Sequence, residues 1–172
     1  SCLFGLSAQN RYVTNNGTVY FKSDAPLEVI EAQSEELQGV IDPGSNSFAF
    51  SIPIPTFQGF NSPLQQDHFN ENYMESKVYP KATFQGKIIE QEDLTKDGVY
   101  VVRAKGILDI HGVQQERIIR SEVVTKNGMM KIRAKFTVLL AEHDIRVPRI
   151  VHQKIAEEIQ VEIEGDLKAR EN

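Results

Sequence analysis

Four histidines, His68, His111, His143 and His152, are the side chains in this 172-residue chain best equipped for metal or acid–base chemistry. Metal ligation needs two or three such groups converging at short range. The chain offers only the pair His68 and Glu71 and the neighbours His143 and Asp144, without HExxH-like spacing. His111 precedes Gly112 at a tight turn, where a ring bonded to backbone is the plain expectation. Nucleophilic catalysis has no G-x-S-x-G elbow to rest on, and the single cysteine, Cys2, stands in the N-terminal tail. One cysteine also excludes an internal disulfide and a multi-cysteine metal site. Carboxylates are plentiful, but most alternate outward along strands, so no paired acid and base emerges. What remains are aromatic side chains, nine Phe and five Tyr with no Trp, and apolar binding is the chemistry they suit.

Those rings sit on segments that alternate with period two, the signature of strands with one dry face. Phe48, Phe50, Ile52 and Ile54 share one side of 46–54. Ala82, Phe84, Gly86 and Ile88 share one side of 81–90. In 99–111 the row is Tyr100, Val102, Ala104, Gly106, Leu108 and Ile110. In 129–140 it is Met130, Ile132, Ala134, Phe136, Val138 and Leu140. Ile159, Val161, Ile163 and Leu167 complete the set in 157–167. Turn signals fall at Asn15-Asn16-Gly17, Asp42-Pro43-Gly44, Lys96-Asp97-Gly98, His111-Gly112 and Lys126-Asn127-Gly128. This spacing predicts an all-β meander of hairpins, and the long runs near 98–111 and 129–140 suit a tilted barrel.

One helix is signalled after Ser62, a capping residue followed by Pro63 at the first helical position and Gln65 in a capping-box pattern. Phe69 and Tyr73 then fall one turn apart, with Leu64 and Met74 near the same side. The helix must end before Pro80. A second short helical turn is expected around Arg149–Ala156, after Pro148.

A sheet closed on itself turns every inward row toward one interior. Ala82, Gly86, Ala104, Gly106 and Ala134 are small and would leave volume there, which Phe48, Phe50, Phe84 and Phe136 would line. Phe57, Phe60, Phe69, Met74 and Tyr79 gather around the helix as a plug or gate at one end. No charged residue enters the inward rows of these middle strands before Glu90. The expected occupant is an apolar chain, for which each buried methylene contributes roughly 0.8 kcal/mol.

Composition bounds the partners. The net charge of −5, with both signs mixed along the strands, supplies no electrostatic footprint for nucleic acid. Arg117, Arg120, Lys131, Arg133 and Lys135 are the nearest thing to a basic patch and are expected on a solvated outer face. No stretch approaches the roughly 20 apolar residues of a membrane-spanning helix. Leu3, Phe4 and Leu6, then Ser7 and Ala8, have the composition of the end of an export signal. Residues 1–8 are therefore expected to be a signal remnant or disordered tail, and 9–172 a single domain.

The segment HFNENYMESKVYPKATFQGKI, followed by a long strand ending GILDIHGV, resembles the YceI-like family of bacterial envelope proteins. The matched features are a short helix, a YP-x-x-TF strand start at Tyr79, Pro80, Thr83 and Phe84, and a turn at Gly106, Leu108, His111, Gly112 and Val113. Phe57–Ser62, upstream, also fits, and together these cover about a third of the chain. The amide-rich helix QQDHFNEN stands where the family often carries a more acidic segment. The resemblance implies an extended, lipocalin-like antiparallel barrel of about eight strands with one or two short helices. It further implies a periplasmic or secreted protein, not an enzyme, that binds a long isoprenoid or acyl chain inside, with no cofactor besides such a lipid.

The expected ligand-binding residues are Phe48, Phe50 and Ile52; Phe60, Phe69, Tyr73, Met74 and Tyr79; Phe84, Gly86 and Ile88; Ala104, Gly106, Leu108 and Ile110; Ala134 and Phe136. His68, by the mouth, is the candidate for a polar headgroup. Catalytic residues and metal ligands are expected to be absent, and both a monomer and a homodimer fit the sequence. The competing expectation is an envelope stress-response or interaction protein whose barrel is packed solid and holds no lipid.

Overall fold

In the computed structural model, which describes residues 10–170, eight strands run antiparallel in chain order and close into a barrel. They are β1 (Arg11–Asp24), β2 (Val29–Asp42), β3 (Ser47–Pro53), β4 (Lys81–Ile88), β5 (Gly98–Ile110), β6 (Val113–Lys126), β7 (Met129–Leu139) and β8 (Glu158–Arg170). Closure comes from β8 pairing with β1, with Val19 opposite Ile163 and Phe21 opposite Val161. The export-signal expectation at 1–8 lies outside the described residues. Among the described residues no helix is long and apolar enough to cross a membrane.

The inward rows expected in β3, β4, β5, β7 and β8 are present: Phe48, Ile52, Ile88, Val102, Met130, Val138 and Leu167 are all buried. Two-residue hairpins join β5 to β6 at His111-Gly112 and β6 to β7 at Asn127-Gly128. The φ values of +51° and +76° at Asn127 and Gly128 are those of the turn type whose twist matches paired strands.

Asn15-Asn16-Gly17 is not a turn. It lies inside β1, where the register against β2 slips between Thr14 and Gly17 and again between Gly17 and Val19. Extra residues on one strand form a bulge, which bends the strand and reverses the phase of its side chains. Tyr12 is thus buried from an even position, while Val19 and Ser23 are buried from odd ones.

The outer face carries charge in register. Lys131 pairs with Asp166 at 3.8 Å, Arg133 with Glu164 at 2.6 Å and Lys135 with Glu162 at 3.3 Å. Each exposed pair contributes at most about 1 kcal/mol, and together they neutralise three of the five cations considered above as a patch.

Arg117 departs from the outer-face expectation. Its cross-strand partner is Gly106, and Gln115 and Ile119 on either side oppose Leu108 and Ala104, so Arg117 belongs to the inward row of β6. The reason is visible at the β6–β7 boundary. That ladder runs only from Lys126↔Met129 to Ser121↔Ala134, and the strands then part. Arg117 spans the gap, donating from Nη2 to the Thr137 carbonyl at 2.8 Å. Gln115 Nε2 donates to the Glu142 carbonyl at 2.8 Å, so side chains replace the missing backbone rungs.

The chain between β3 and β4 crosses one end of the barrel. A 3-10 turn at Ile54–Thr56 leads to the helix α1 (Pro63–His68), which continues as a π-helical turn over Phe69–Tyr73. Ser62 caps it as expected, its Oγ accepting from Gln65 N–H at 3.1 Å. The Gln65 side chain reaches back one residue further than in a standard box, to Asn61 N–H at 2.9 Å. After β7 a second crossing includes a 3-10 turn at Arg149–Val151, within the second helical region expected.

Candidate ligand cavity

The barrel interior divides into two apolar clusters. The lower one gathers Tyr12, Ile41, Phe48, Ile88, Leu94, Val102, Val123, Met130 and Leu167. The upper one holds Val19, Leu37, Ile52, Ile54 and Phe57, with Phe21, Phe60, Phe69 and Met74 packed on it. Within the upper half lies a cavity of about 500 Å³, the scale of sites that enclose a small organic ligand.

Its floor is made by Phe50, Phe84 and Phe136. Its walls come from Val19 and Phe21 of β1, Ile52 of β3, Ala82 of β4, Leu108 and Ile110 of β5, Val138 of β7 and Ile159, Val161 and Ile163 of β8. The β3–β4 crossing roofs one side with Phe57, Phe60, Phe69, Tyr73 and Met74, and the β7–β8 crossing supplies Ile145, Val151 and Ile155.

Polar groups are a minority of the lining, and they include the buried Ser23. Glu28, Gln65, His68 and Lys154 line the cavity, and His68 and Lys154 are exposed, which places them toward solvent. Gln65 Nε2 donates to Glu28 Oε1 at 3.1 Å, tying the helix to the residue just before β2. Tyr73 is half-buried, and that burial raises its phenol above the usual value, keeping it a neutral donor.

The roof is a cluster of rings. Phe69 stacks on Phe21 at 5.4 Å between centroids and packs against Phe60 at 4.9 Å and Phe57 at 5.8 Å. Such pairs contribute roughly 0.5–1.5 kcal/mol each beyond burial. Polar tethers hold the segment down: Asn61 Nδ2 donates to the Val29 carbonyl at 3.1 Å, and Gln58 and Gln33 exchange backbone bonds at 2.8 and 2.9 Å. At the far end of the crossing His111 bonds to Glu75 through Nε2 and to the His143 carbonyl through Nδ1 at 2.9 Å.

Most residues expected from the sequence converge here. Phe50, Ile52, Phe60, His68, Phe69, Tyr73, Met74, Phe84, Leu108, Ile110 and Phe136 line the cavity. Phe48, Ile88, Ala104 and Ala134 do not. They line a separate void of about 70 Å³ beneath the floor, together with the undersides of Phe50, Phe84 and Phe136.

Gly86, Gly106 and Tyr79 line neither space. The two glycines face each other across β4 and β5, and a Cβ on either would collide with backbone of the other strand. They serve close strand approach, not volume. Tyr79 packs edge-on against His111 at 4.8 Å and over Gly112, bracing the hairpin.

Sequence reasoning missed Val19, Phe21, Ile30 and Leu37, whose rows are interrupted by the β1 bulge. It also missed Ile145, Val151 and Ile155, which lie in the β7–β8 crossing, where the 3-10 turn at Arg149–Val151 is too short to show a period. Among the described residues no group of three His, Cys, Asp or Glu side chains could hold a metal ion. His143 is fully buried, its Nδ1 held 2.9 Å from the Val113 carbonyl, which makes it a structural pin for the hairpin.

A family model for the YceI-like domain matches residues 12–167. The chain belongs to the YceI-like family. Solved structures agree on the YceI fold. A polyisoprenoid binding domain from Saccharophagus degradans, implicated in plant cell wall breakdown, superposes with a TM-score of 0.80 over 93% of this chain and 98% of its own, at 12% identity. BcnA of Burkholderia cenocepacia gives 0.71 over 88% and 95% at 16% identity. The YceI protein of Campylobacter jejuni gives 0.64 over 83% and 86%, also at 16%. No curated protein sequence matches the chain. At these identities the likeness establishes the barrel and leaves the contents of the YceI-like cavity to be argued from its own residues.

Proposed function

We propose that this YceI-like protein is a non-enzymatic binder of one long apolar chain, an isoprenoid or a fatty acid or amide, which it stores or carries inside the barrel. The observation that carries the proposal is the cavity of about 500 Å³ walled mostly by aliphatic and aromatic side chains, with exposed His68 and Lys154 among its few polar groups. A ten-carbon segment buried there would gain on the order of 8 kcal/mol before association costs, without any directed polar contact.

The polyisoprenoid-binding description of the Saccharophagus degradans structure supports the same ligand class. His68, Gln65 and Lys154 would meet the polar end of such a molecule, since all three line the cavity and His68 and Lys154 are open to solvent. The proposal includes export to the periplasm or beyond, on the composition of residues 1–8. The competing reading, an interaction protein with a solid barrel, is disfavoured by the volume of the void.

Mass spectrometry of an organic extract of the purified protein tests the proposal. One long-chain species, stoichiometric with protein and absent from a blank purification, is the expected result. An extract free of lipid, together with failure to take up an isoprenoid or fatty acid offered in solution, overturns it.

A further inference from the structure

The interior is interrupted at one level. Phe50, Phe84, Phe136 and Ile163 each face both the upper cavity and the 70 Å³ void below it. Three of the four are rings, and each ring is held. Phe50 and Phe84 are cross-strand partners in β3 and β4. Phe48 supports both from beneath, at 6.1 Å from Phe50 and 4.9 Å from Phe84. Phe50 lies over Gly39, in space that a Cβ there would occupy. Phe136 lies under the Arg117 guanidinium, 5.7 Å from the ring centroid, and Arg117 is itself fixed by its bond to Thr137.

We infer that Phe50, Phe84 and Phe136 form a molecular ruler that sets the longest chain the cavity accepts, with the void beneath as a reserve that a smaller residue would open. The inference rests on the binding role proposed above. A chain entering from the rim gains about fourfold in affinity with each methylene it buries. Once its end meets the rings, further carbons must stay outside at the rim, and the gain stops. Phe84 is the residue whose removal joins the two spaces most directly, because it faces both and stands between Phe50 and Leu108 in the sheet.

The test is a homologous series of straight-chain fatty acids, titrated calorimetrically against wild type, Phe84→Ala and the milder Phe136→Leu. Folding of each variant is checked by circular dichroism and thermal melting. For wild type, affinity should climb about fourfold per methylene and then level at a limiting length. Both variants should shift that limit to longer chains. Adding Ala134→Phe, which refills only the lower void, should return Phe84→Ala toward the wild-type limit. If wild type binds the series but folded variants keep its limiting length, the ruler is wrong and the binding role stands. If wild type binds no member of the series, and no isoprenoid alcohol offered in its place, the binding role fails and the ruler with it.

Discussion

Phe50 stands opposite Gly39 across β2 and β3, and its ring covers the glycine backbone where any other residue would place a Cβ. The pair therefore works as one unit: the glycine is small so that the ring can lie flat at the level of the cavity floor. Gly39→Ala should push the ring off its position, with an overpacking cost of about 1–3 kcal/mol. Urea unfolding would register it as a lower midpoint with an unchanged m-value.

Gly86 and Gly106 make the same argument with backbone instead of a ring. Each removes a Cβ that would strike the neighbouring strand. Gly106→Ala should destabilise the barrel more than Gly39→Ala does, because a carbonyl in a ladder cannot swing aside as an aromatic ring can. Comparing the two midpoints in one denaturant series checks the order.

His111 ties the roof segment to the barrel. Its ring nitrogens face the Glu75 carboxylate and the His143 carbonyl, both acceptors, and Tyr79 packs on its edge. His111→Asn keeps a residue that tolerates the positive φ of this turn while removing all three contacts. Global stability should fall by no more than about 1–2 kcal/mol. Amide exchange across residues 69–79 should accelerate clearly, and unchanged exchange there would show that the tether does not hold the roof.

Tyr20 provides a pH signature. Burial first, and then its hydrogen bond to Glu31, push its pKa up to about 12 from the ordinary tyrosine value of 10.0. The folded state therefore holds this proton more tightly than the unfolded chain does. The stability it contributes is fully present below about pH 10 and is lost as pH rises toward about 12. Tyr20→Phe should flatten that alkaline decline, and the tyrosinate absorbance titration of wild type should contain one late component that the variant lacks.

How much of this was legible follows from phase. Along β3, β4, β5, β7 and β8 the alternation is unbroken, and Phe50, Ile52, Phe84, Leu108 and Phe136 could be placed at the cavity from their spacing alone. In β1 the slip around Gly17 flips the phase, so no single alternating row joins Tyr12 to Val19 and Phe21, and Asn15-Asn16-Gly17 reads as a turn. In β6 the inward row mixes Gln115, Arg117 and Ser121 with Ile119 and Val123, so no dry face announces itself. That mixture exists because β6 must bridge to β7 with side chains, a tertiary demand that local pattern does not carry. Small residues were a good guide to where rows face inward but a poor guide to volume. Ala82 borders the cavity, Ala104 and Ala134 border the lower void, and Gly86 and Gly106 border neither.

The central claim, that the hollow upper barrel encloses a single apolar chain, is tested most directly by native mass spectrometry of wild type beside Ala82→Phe. The added ring points into the cavity and should be tolerated because it enters empty space instead of packed core. Wild type should carry one non-covalent adduct per chain, whether co-purified or loaded from a fatty acid or isoprenoid alcohol, and folded Ala82→Phe should lose it. An adduct retained undiminished by the folded variant, or no adduct on wild type after loading, would contradict the account.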